Sequence, residues 1–183
     1  MSGPDSVRTQ SASVPTIRPA AIGDVPYMHE LIESHSRVGN LLPRPMSELY
    51  RHLRDFFVIE IDGKVAAIGA LEIFTEDLGE VRSLVVAERY GRKGLGSLLV
   101  RRIIGEAGRI GLRRLMALTY APAFFHRLGF RTVPIDTLPE KVWNVCLKCY
   151  KYQNCDETAV VLQLEHHNMP SRGAQDEPDN LAT

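Results

Sequence analysis

A short segment between a predicted strand and a predicted helix combines small residues with positive charge. Over residues 89–96 the chain has three basic side chains and three glycines: Arg89, Gly91, Arg92, Lys93, Gly94 and Gly96. Glycine lets a backbone turn tightly and approach a ligand closely, and the first N–H groups of a helix point at whatever lies in front of it. This combination predicts a loop that binds a diphosphate. The alternative is an ordinary glycine-rich turn with a basic surface.

Three cysteines late in the chain form the other cluster of reactive side chains. Cys146, Cys149 and Cys155 are followed by His166 and His167, which has some features of a zinc site. The spacing does not match a common zinc finger, and the chain has no second close pair of cysteines. We therefore predict reduced thiols and no bound metal.

The composition narrows the classes of function. The chain has 183 residues, enough for one domain with a substantial core. Lys plus Arg and Asp plus Glu both number 22, whereas nucleic-acid-binding domains usually carry a basic excess. No apolar run approaches the roughly 20 residues of a membrane span, and the N-terminus lacks the apolar core of a signal peptide. We therefore expect a cytoplasmic protein with neither a nucleic-acid nor a membrane partner.

Hydrophobic periodicity predicts the elements that must position the basic loop. Strands are predicted at 16–20, 56–61, 64–74, 78–87, 113–119, 131–135 and 159–164, and the Asp62-Gly63 pair is typical of a hairpin turn. Helices are predicted at 25–38, 48–54, 94–110 and 122–128, the first capped by Asp24. This order indicates an α/β (α+β) fold with a mixed central sheet flanked by helices. Residues 16–165 form the predicted domain, and 1–15 and 166–183 are predicted disordered tails.

The order of elements and two segments resemble the GCN5-related N-acetyltransferases. GRKGLGSLLV follows the strand VRSLVV, and FFHRLGF follows the next strand. Gly94 and Gly96 match the glycines of that family's pyrophosphate loop, Gln/Arg-x-x-Gly-x-Gly/Ala, whereas Gly91 stands at its first position. The resemblance implies a single-domain fold with a splayed strand beside this loop, and acetyl-CoA as the co-substrate.

Three further segments are similar to the short bacterial N-acetylglutamate synthases: GNLLPRPMSELYRHLRDFFV, GEVRSLVV and LPEKVWNVCLKCYKYQNCDETAVV. That group transfers an acetyl group directly from acetyl-CoA to the α-amino group of glutamate, which opens arginine biosynthesis. The resemblance implies the same reaction here. The alternatives are another amino acid or small amine as acceptor, or a non-catalytic acetyl-CoA-binding module that senses or regulates. The sequence is also compatible with a homodimer.

The resemblance assigns donor binding to the splayed strand and the loop. The backbone of residues 83–86 is expected to polarise the thioester carbonyl and to pair with the pantetheine arm. The expected cofactor-binding residues are Leu84, Val85, Val86, Gly91, Arg92, Lys93, Gly94, Leu95, Gly96 and Ser97.

Amine acetylation needs one group that removes a proton from the amine and another that protonates the leaving thiolate. Glu80, at the start of the strand, is the expected base, and Glu72 on the preceding strand is the second candidate. The resemblance places the usual acid, a tyrosine, where this chain has Phe125. Tyr120 is the expected substitute, and packing is the alternative role for its ring.

Glutamate has two carboxylates, so its site should contain at least two cations, and arginine can bind a carboxylate through two nitrogens. The expected acceptor-binding residues are Arg44, Arg82, Ser83 and Lys141. For Arg82 the alternative is a structural ion pair with Glu80, which shares its face of the strand. For Arg44 and Lys141 the alternative is a solvated surface position.

Overall fold

A mixed seven-stranded sheet forms the centre of the computed structural model, which describes residues 14–39, 41–138 and 155–164. Its strands are β1 (Thr16–Pro19), β2 (Phe56–Ile61), β3 (Lys64–Ile73), β4 (Leu78–Val86), β5 (Arg114–Thr119), β6 (Arg131–Thr132) and β7 (Thr158–Gln163). The α-helices in these ranges are α1 (Val25–Arg37), α2 (Met46–Arg51), α3 (Leu95–Arg109) and α4 (Pro122–His126). The predicted α/β class and the predicted mixed sheet are confirmed.

The connections between strands explain their order in the sheet, which is β1-β2-β3-β4-β5-β7-β6. Neighbouring strands are antiparallel except β4 and β5, which are parallel. A two-residue turn joins β2 to β3, and its residues Asp62 and Gly63 have φ angles of 52° and 70°. Parallel strands need a longer crossover, which α3 provides. The glycine loop therefore lies where the chain leaves β4 for this crossover.

Helices cover both faces of the sheet. On one face, buried side chains of α3 pack on those of β2 and β3: Leu95, Leu99 and Ile103 from the helix, and Phe57, Ile59, Ala67 and Leu71 from the strands. On the other face, buried side chains of α1 and α2 pack on those of β2, β3 and β4: Met28, Ile32 and Leu49 from the helices, and Phe56, Val58, Ile68, Ala70 and Val85 from the strands. Each large aliphatic side chain buried in this way contributes roughly 1.5–3 kcal/mol. Both faces are therefore anchored, and a residue of β3 or β4 belongs to one layer or the other.

Strand β4 changes its partner and its phase part-way along its length. It pairs with β5 only over Leu78–Glu80. It pairs with β3 as far as Val86, but the register shifts opposite Gly69, and Ser83 has a φ of 51°. Such a bulge adds one residue and turns the side chains that follow to the opposite face. The predicted separation of this strand from its neighbour is thus present, and it coincides with a bulge that the sequence did not predict.

The largest differences from the predicted element boundaries lie next to prolines. Helix α2 begins at Met46 rather than at residue 48, because Pro45 occupies its N-cap position with extended backbone, and it ends at Arg51. A 3-10 turn, Leu53–Asp55, follows it. Strand β6 is two residues long rather than five, because Pro134 has no N–H group with which to continue a ladder.

Asp24 is the N-cap residue of α1, as predicted, but its carboxylate does not bond to the helix. Arg18 Nη1 and Nη2 donate to Asp24 Oδ2 and Oδ1 at 2.6 and 2.9 Å, and Ala21 N donates to Oδ2 at 2.8 Å. Arg18 also pairs with Glu60 on β2 at 2.8 Å. The hydrogen bond from Arg18 lowers the pKa of the Asp24 carboxyl, against the opposing effect of burial. Asp24 therefore ties the start of α1 to β1.

We expect Asp24→Asn to lower the free energy of unfolding by about 1–2 kcal/mol at neutral pH, because it removes a charge-assisted contact that is only partly exposed. A carboxyl whose pKa is lowered in the folded state stabilises the fold above its unfolded value, here 3.8, and that stability is lost as the pH falls through the folded pKa. Urea unfolding at neutral and acidic pH measures both effects.

The control is Glu33→Gln, which breaks an exposed pair with Arg37 and should change the unfolding free energy very little. A difference between wild type and Asp24→Asn that persists undiminished at low pH would contradict this account of Asp24.

Candidate active site

The glycine loop has the backbone geometry of an anion-binding turn. Gly94 is the N-cap residue of α3 with a φ of 78°, and Arg92 is also left-handed, with a φ of 59°. No side chain caps this helix. Leu98 N donates to Gly94 O at 3.0 Å, so the N–H groups of residues 94–97 precede the first intrahelical bond. These donors and the helix dipole favour a negatively charged group at this end of α3.

Basic and aromatic side chains surround the loop. The Arg89 guanidinium carbon lies 4.8 Å, and Lys93 Nζ 5.6 Å, from the centre of the Tyr90 ring. A Cβ added at Gly96 would lie 3.5 Å from the Phe124 ring and 3.7 Å from Val86, which is ordinary contact distance. The end of β4, the start of α3 and helix α4 therefore meet at this loop, and its positive charge adds to that of the helix N-terminus.

The predicted donor-binding strand segment leads directly into this loop. Ser83 is buried, and Leu84 and Val86 pack in the α3 layer whereas Val85 packs in the α1 and α2 layer. Gly69 lies opposite the bulge, and a Cβ there would be 3.3 Å from both Leu84 and Ile103. The pairing of β4 with β5 ends before this segment, so one edge of its backbone faces the opening between the two strands.

Five charged side chains, which we call the Arg/Glu cluster, gather on the α1 and α2 side of the sheet: Arg44, Glu48, Glu72, Glu80 and Arg82. Glu72 of β3 lies directly opposite Glu80 of β4, and Arg82 lies opposite Ala70. Residues opposed in this way point to the same face of a sheet. The cluster carries three carboxylates against two guanidinium groups. It therefore has a formal charge of one negative unit, not the positive excess that a site for two carboxylates would suggest.

Arg44 is buried, with a side chain only 8% exposed. Its Nη1 lies 3.1 Å from Glu48 Oε1, and its Nη2 lies 3.9 Å from Glu72 Oε2. Nη2 is buried and has no hydrogen-bond acceptor among the described residues. Burial, followed by the positive charge of Arg82, lowers the pKa of the Arg44 guanidinium. Arg44 is thus not the solvated loop residue that the sequence offered as its alternative.

Arg82 lies between the two opposed carboxylates. Its Nη1 donates to Glu72 Oε2, and its Nε lies 3.4 Å from Glu80 Oε2. Burial alone would lower the pKa of this guanidinium, but the charges of Glu80 and Glu72 outweigh burial and raise its pKa. The ion pair with Glu80 that the sequence offered as the alternative for Arg82 is present, together with a second one. Glu80 itself is 3% exposed.

The two aromatic residues considered for proton donation lie in different environments. Tyr120 follows β5, is 41% exposed, and donates its hydroxyl to Asp156 Oδ1 at 3.0 Å. Phe125 of α4 is buried, and its ring contacts those of Phe124 and Phe130 edge to face, with centroids 5.1 and 5.2 Å away. Phe125 thus belongs to the core, and no hydroxyl is present at its position.

Several sequence predictions fall outside the described residues: the role of Lys141, the cysteines Cys146 and Cys149, and the two histidines. The third cysteine, Cys155, is exposed with a free thiol. Within the described ranges, no group of three or more His, Cys, Asp or Glu side chains is arranged to hold a metal ion. No helix in those ranges is long and apolar enough to cross a membrane.

Glu48 is the member of the cluster that the sequence did not predict. It lies four residues after Arg44, a spacing that brings side chains together on a helix. The intervening Pro45 obscured this signal, because a helix was expected to begin only after it. The contact arises because α2 starts immediately beyond the proline.

The parted parallel strands and the N–H groups at the start of the crossover helix α3 are features of an N-acetyltransferase fold. Residues 26–130 match the Acetyltransferase (GNAT) family, and the chain belongs to that family.

Its relatives include one protein that the match covers almost completely and two much longer ones. The chain is 33% identical over 148 residues to an uncharacterized N-acetyltransferase of Chlorobaculum tepidum, covering 81% of this chain and 96% of that protein. It is 38% identical over 127 residues to the amino-acid acetyltransferase of Neisseria meningitidis. This match covers 68% of this chain but only 29% of that protein. N-acetylglutamate synthase of Neisseria gonorrhoeae, solved with coenzyme A and N-acetyl-glutamate, superimposes with a TM-score of 0.76 at 31% identity, covering 85% of this chain and 36% of that one.

Proposed function

We propose that this protein transfers the acetyl group of acetyl-CoA to the α-amino group of an amino acid, with L-glutamate as the acceptor. Family membership supports acetyl transfer, and the names of the Neisseria relatives support an amino-acid acceptor. The observation that carries the proposal is the buried Arg44 guanidinium, whose Nη2 lacks an acceptor among the described residues. An acetyltransferase of this specificity would serve arginine biosynthesis in the cytoplasm.

The donor site comprises the edge of β4 and the start of α3. The N–H groups of residues 94–97 would bind the diphosphate of acetyl-CoA, with charge from Arg92 and Lys93 nearby. The backbone of Leu84, Val85 and Val86 would bind the pantetheine arm in the opening that β5 leaves, as an added strand does at a sheet edge. These residues fit such a ligand because the helix lacks a side-chain cap and the strand edge is not paired with β5.

The acceptor site comprises the Arg/Glu cluster. A buried hydrogen-bond donor without an acceptor costs about 1–3 kcal/mol. A substrate carboxylate that accepts a hydrogen bond from Arg44 Nη2 would remove this cost. Glu80 and Glu72 lie next to it and would attract the ammonium group of the acceptor. A second substrate carboxylate needs a second cation, and Lys141 is the candidate for it from the sequence. The buried Ser83 lies beside the cluster, at the bulge.

Proton balance defines what the side chains must do. The ammonium group loses one proton to become an amine, the amine nitrogen bonds to the acetyl carbon and loses a second proton, the carbon–sulfur bond breaks, and the sulfur takes up one proton. One ammonium and one thioester thus give one amide, one thiol and one released proton. Glu80 is the proposed base, since it is a buried carboxylate at the point where β4 and β5 part. Tyr120 is the proposed acid, and its hydroxyl would have to leave Asp156 to reach the sulfur.

A second candidate function rests on Phe125. The buried phenyl ring cannot protonate a thiolate, which favours a protein that binds acetyl-CoA without transferring its acetyl group.

An acceptor screen at saturating acetyl-CoA separates the two functions. We expect L-glutamate to release free thiol and to give a product whose mass is that of the N-acetyl amino acid, while D-glutamate, the matched control, gives neither. The screen should include the remaining common amino acids, glutamine and aspartate among them. Binding of acetyl-CoA by calorimetry with no turnover of any amino acid would favour the non-catalytic function.

Gly94→Ala tests the donor loop. A non-glycine residue in the left-handed region costs roughly 1–2 kcal/mol, so we expect the free loop of this variant to relax to another conformation. Acetyl-CoA must then restore the left-handed conformation, and it should bind about 5- to 30-fold more weakly by calorimetry. The matched control is Gly108→Ala in the same helix, where an added Cβ would meet nothing within 4 Å and affinity should not change. Equal affinities for the two variants would contradict the role given to this loop.

Arg44→Lys tests the acceptor site, since it keeps the charge but loses the guanidinium fork. We expect the acceptor KM to rise by about tenfold or more while the Kd of acetyl-CoA changes by less than about twofold. The control is Arg51→Lys at an exposed position of α2, where both constants should stay the same. If Arg44→Lys weakens acetyl-CoA binding instead, Arg44 belongs to the donor site.

A further inference from the structure

The most demanding pairing in the Arg/Glu cluster sets two glutamates opposite each other. Glu72 and Glu80 are paired directly across β3 and β4, and Glu80 is almost fully buried. Like charges at directly opposed positions of a sheet repel each other, and burial strengthens the repulsion because water no longer screens it. A cation between the two carboxyl groups would relieve this repulsion.

Arg82 lies where it can neutralise both carboxylates. Its Nη1 donates to Glu72 and its Nε lies 3.4 Å from Glu80, so different nitrogens of one guanidinium face the two carboxylates. Arg82 is two residues along β4 from Glu80, which places both on the same face of the strand. Arg44 differs from it in the feature that matters, because Arg44 Nη2 still lacks an acceptor.

We propose that Arg82 is a positioning residue, which bridges Glu72 and Glu80 and orients Glu80 as the base, while Arg44 takes the substrate carboxylate. This inference rests on the proposed function. It changes the role expected for Arg82 from the sequence, because a guanidinium that turned to a substrate carboxylate would leave the buried Glu80 opposite Glu72 without the cation between them.

The charged groups that face this bridge come from two strands and from the segment that contains α2 and the loop before it. Glu72 is on β3, Glu80 is on β4, and Arg44 and Glu48 come from the loop before α2 and from α2 itself. Glu48 already neutralises part of Arg44. The loss of Arg82 would therefore leave Arg44 as the remaining cation of the cluster, at 3.9 Å from Glu72.

The experiment compares Arg82→Met, Glu72→Gln and the double variant. For Arg82→Met we expect kcat to fall by about 10- to 100-fold with the acceptor KM within about threefold of wild type, because a general base contributes in this range and the substrate contacts remain. The acidic limb of its pH–rate profile should move to higher pH. Adding Glu72→Gln removes the like charge opposite Glu80, so the double variant should recover at least about a third of the lost activity on a logarithmic scale.

A matched control is Arg18→Met, because Arg18 also bridges two carboxylates, Asp24 and Glu60, but does so from β1, three strands from β4. It should lower the unfolding free energy and leave kcat unchanged. If Arg82→Met instead raises the acceptor KM at unchanged kcat, Arg82 is a substrate ligand and the proposal is overturned. If it behaves as Arg18→Met does, the role of Arg82 is confined to the fold and the proposal is equally overturned.

A readout without turnover separates this inference from the proposed function. The unfolding free energy of Arg82→Met relative to wild type should decline as the pH rises from about 4 to about 7 and buried carboxyl groups become charged. The decline should be smaller in the double variant, because Glu80 then ionises without a like charge opposite it. An enzyme that acetylates no amino acid but shows this pattern would refute the proposed function and retain the bridge. Turnover of glutamate with a decline identical in single and double variants would do the reverse.

Discussion

The parting of β4 from β5 after Glu80 is the constraint on which the rest of the site depends. Parallel pairing holds only where the two strands begin, since β5 then stays with β7 while β4 stays with β3. The crossover through α3 requires the two strands to be neighbours, yet the bulge at Ser83 bends β4 away. The gap so formed exposes a strand edge, and the start of α3 lies at its end. A sheet that was fully paired here would have no room for a ligand between its two halves.

Burial of the Arg/Glu cluster is costly for the fold, because charged groups lose hydration that ion pairs only partly replace. Its five members lie in one open chain of ion pairs, which runs from Glu48 through Arg44, Glu72 and Arg82 to Glu80. Apolar residues at these positions would fill the space between sheet and helices more cheaply. The cost is reasonable if the cluster meets a substrate that is itself charged, with an ammonium group and a carboxylate at fixed separation.

Local patterns in the sequence were sufficient for the donor side of the fold and insufficient for the acceptor side. The glycine loop, the hairpin at Asp62 and the crossover helix are each encoded within a few consecutive residues. The bridge formed by Arg82 joins residues ten positions apart through the register of two strands, and a register cannot be read from composition. Asp24 shows the same limit, because Arg18 on β1 binds the carboxylate that the local pattern assigned to a helix end.

The bulge at Ser83 divides β4 into two lengths with separate duties. Before it, Glu80 and Arg82 present side chains to the cluster, and after it the residues offer mainly their backbone to the opening beside β5. In the proposed arrangement, acceptor choice depends on side chains and donor binding on main-chain atoms. Selection can therefore exchange the first set to suit a new amine while the second, which is indifferent to side-chain identity, continues to hold the same thioester. In this arrangement, the acceptor can change through substitutions before the bulge in β4 while the backbone after the bulge keeps its role in binding the donor.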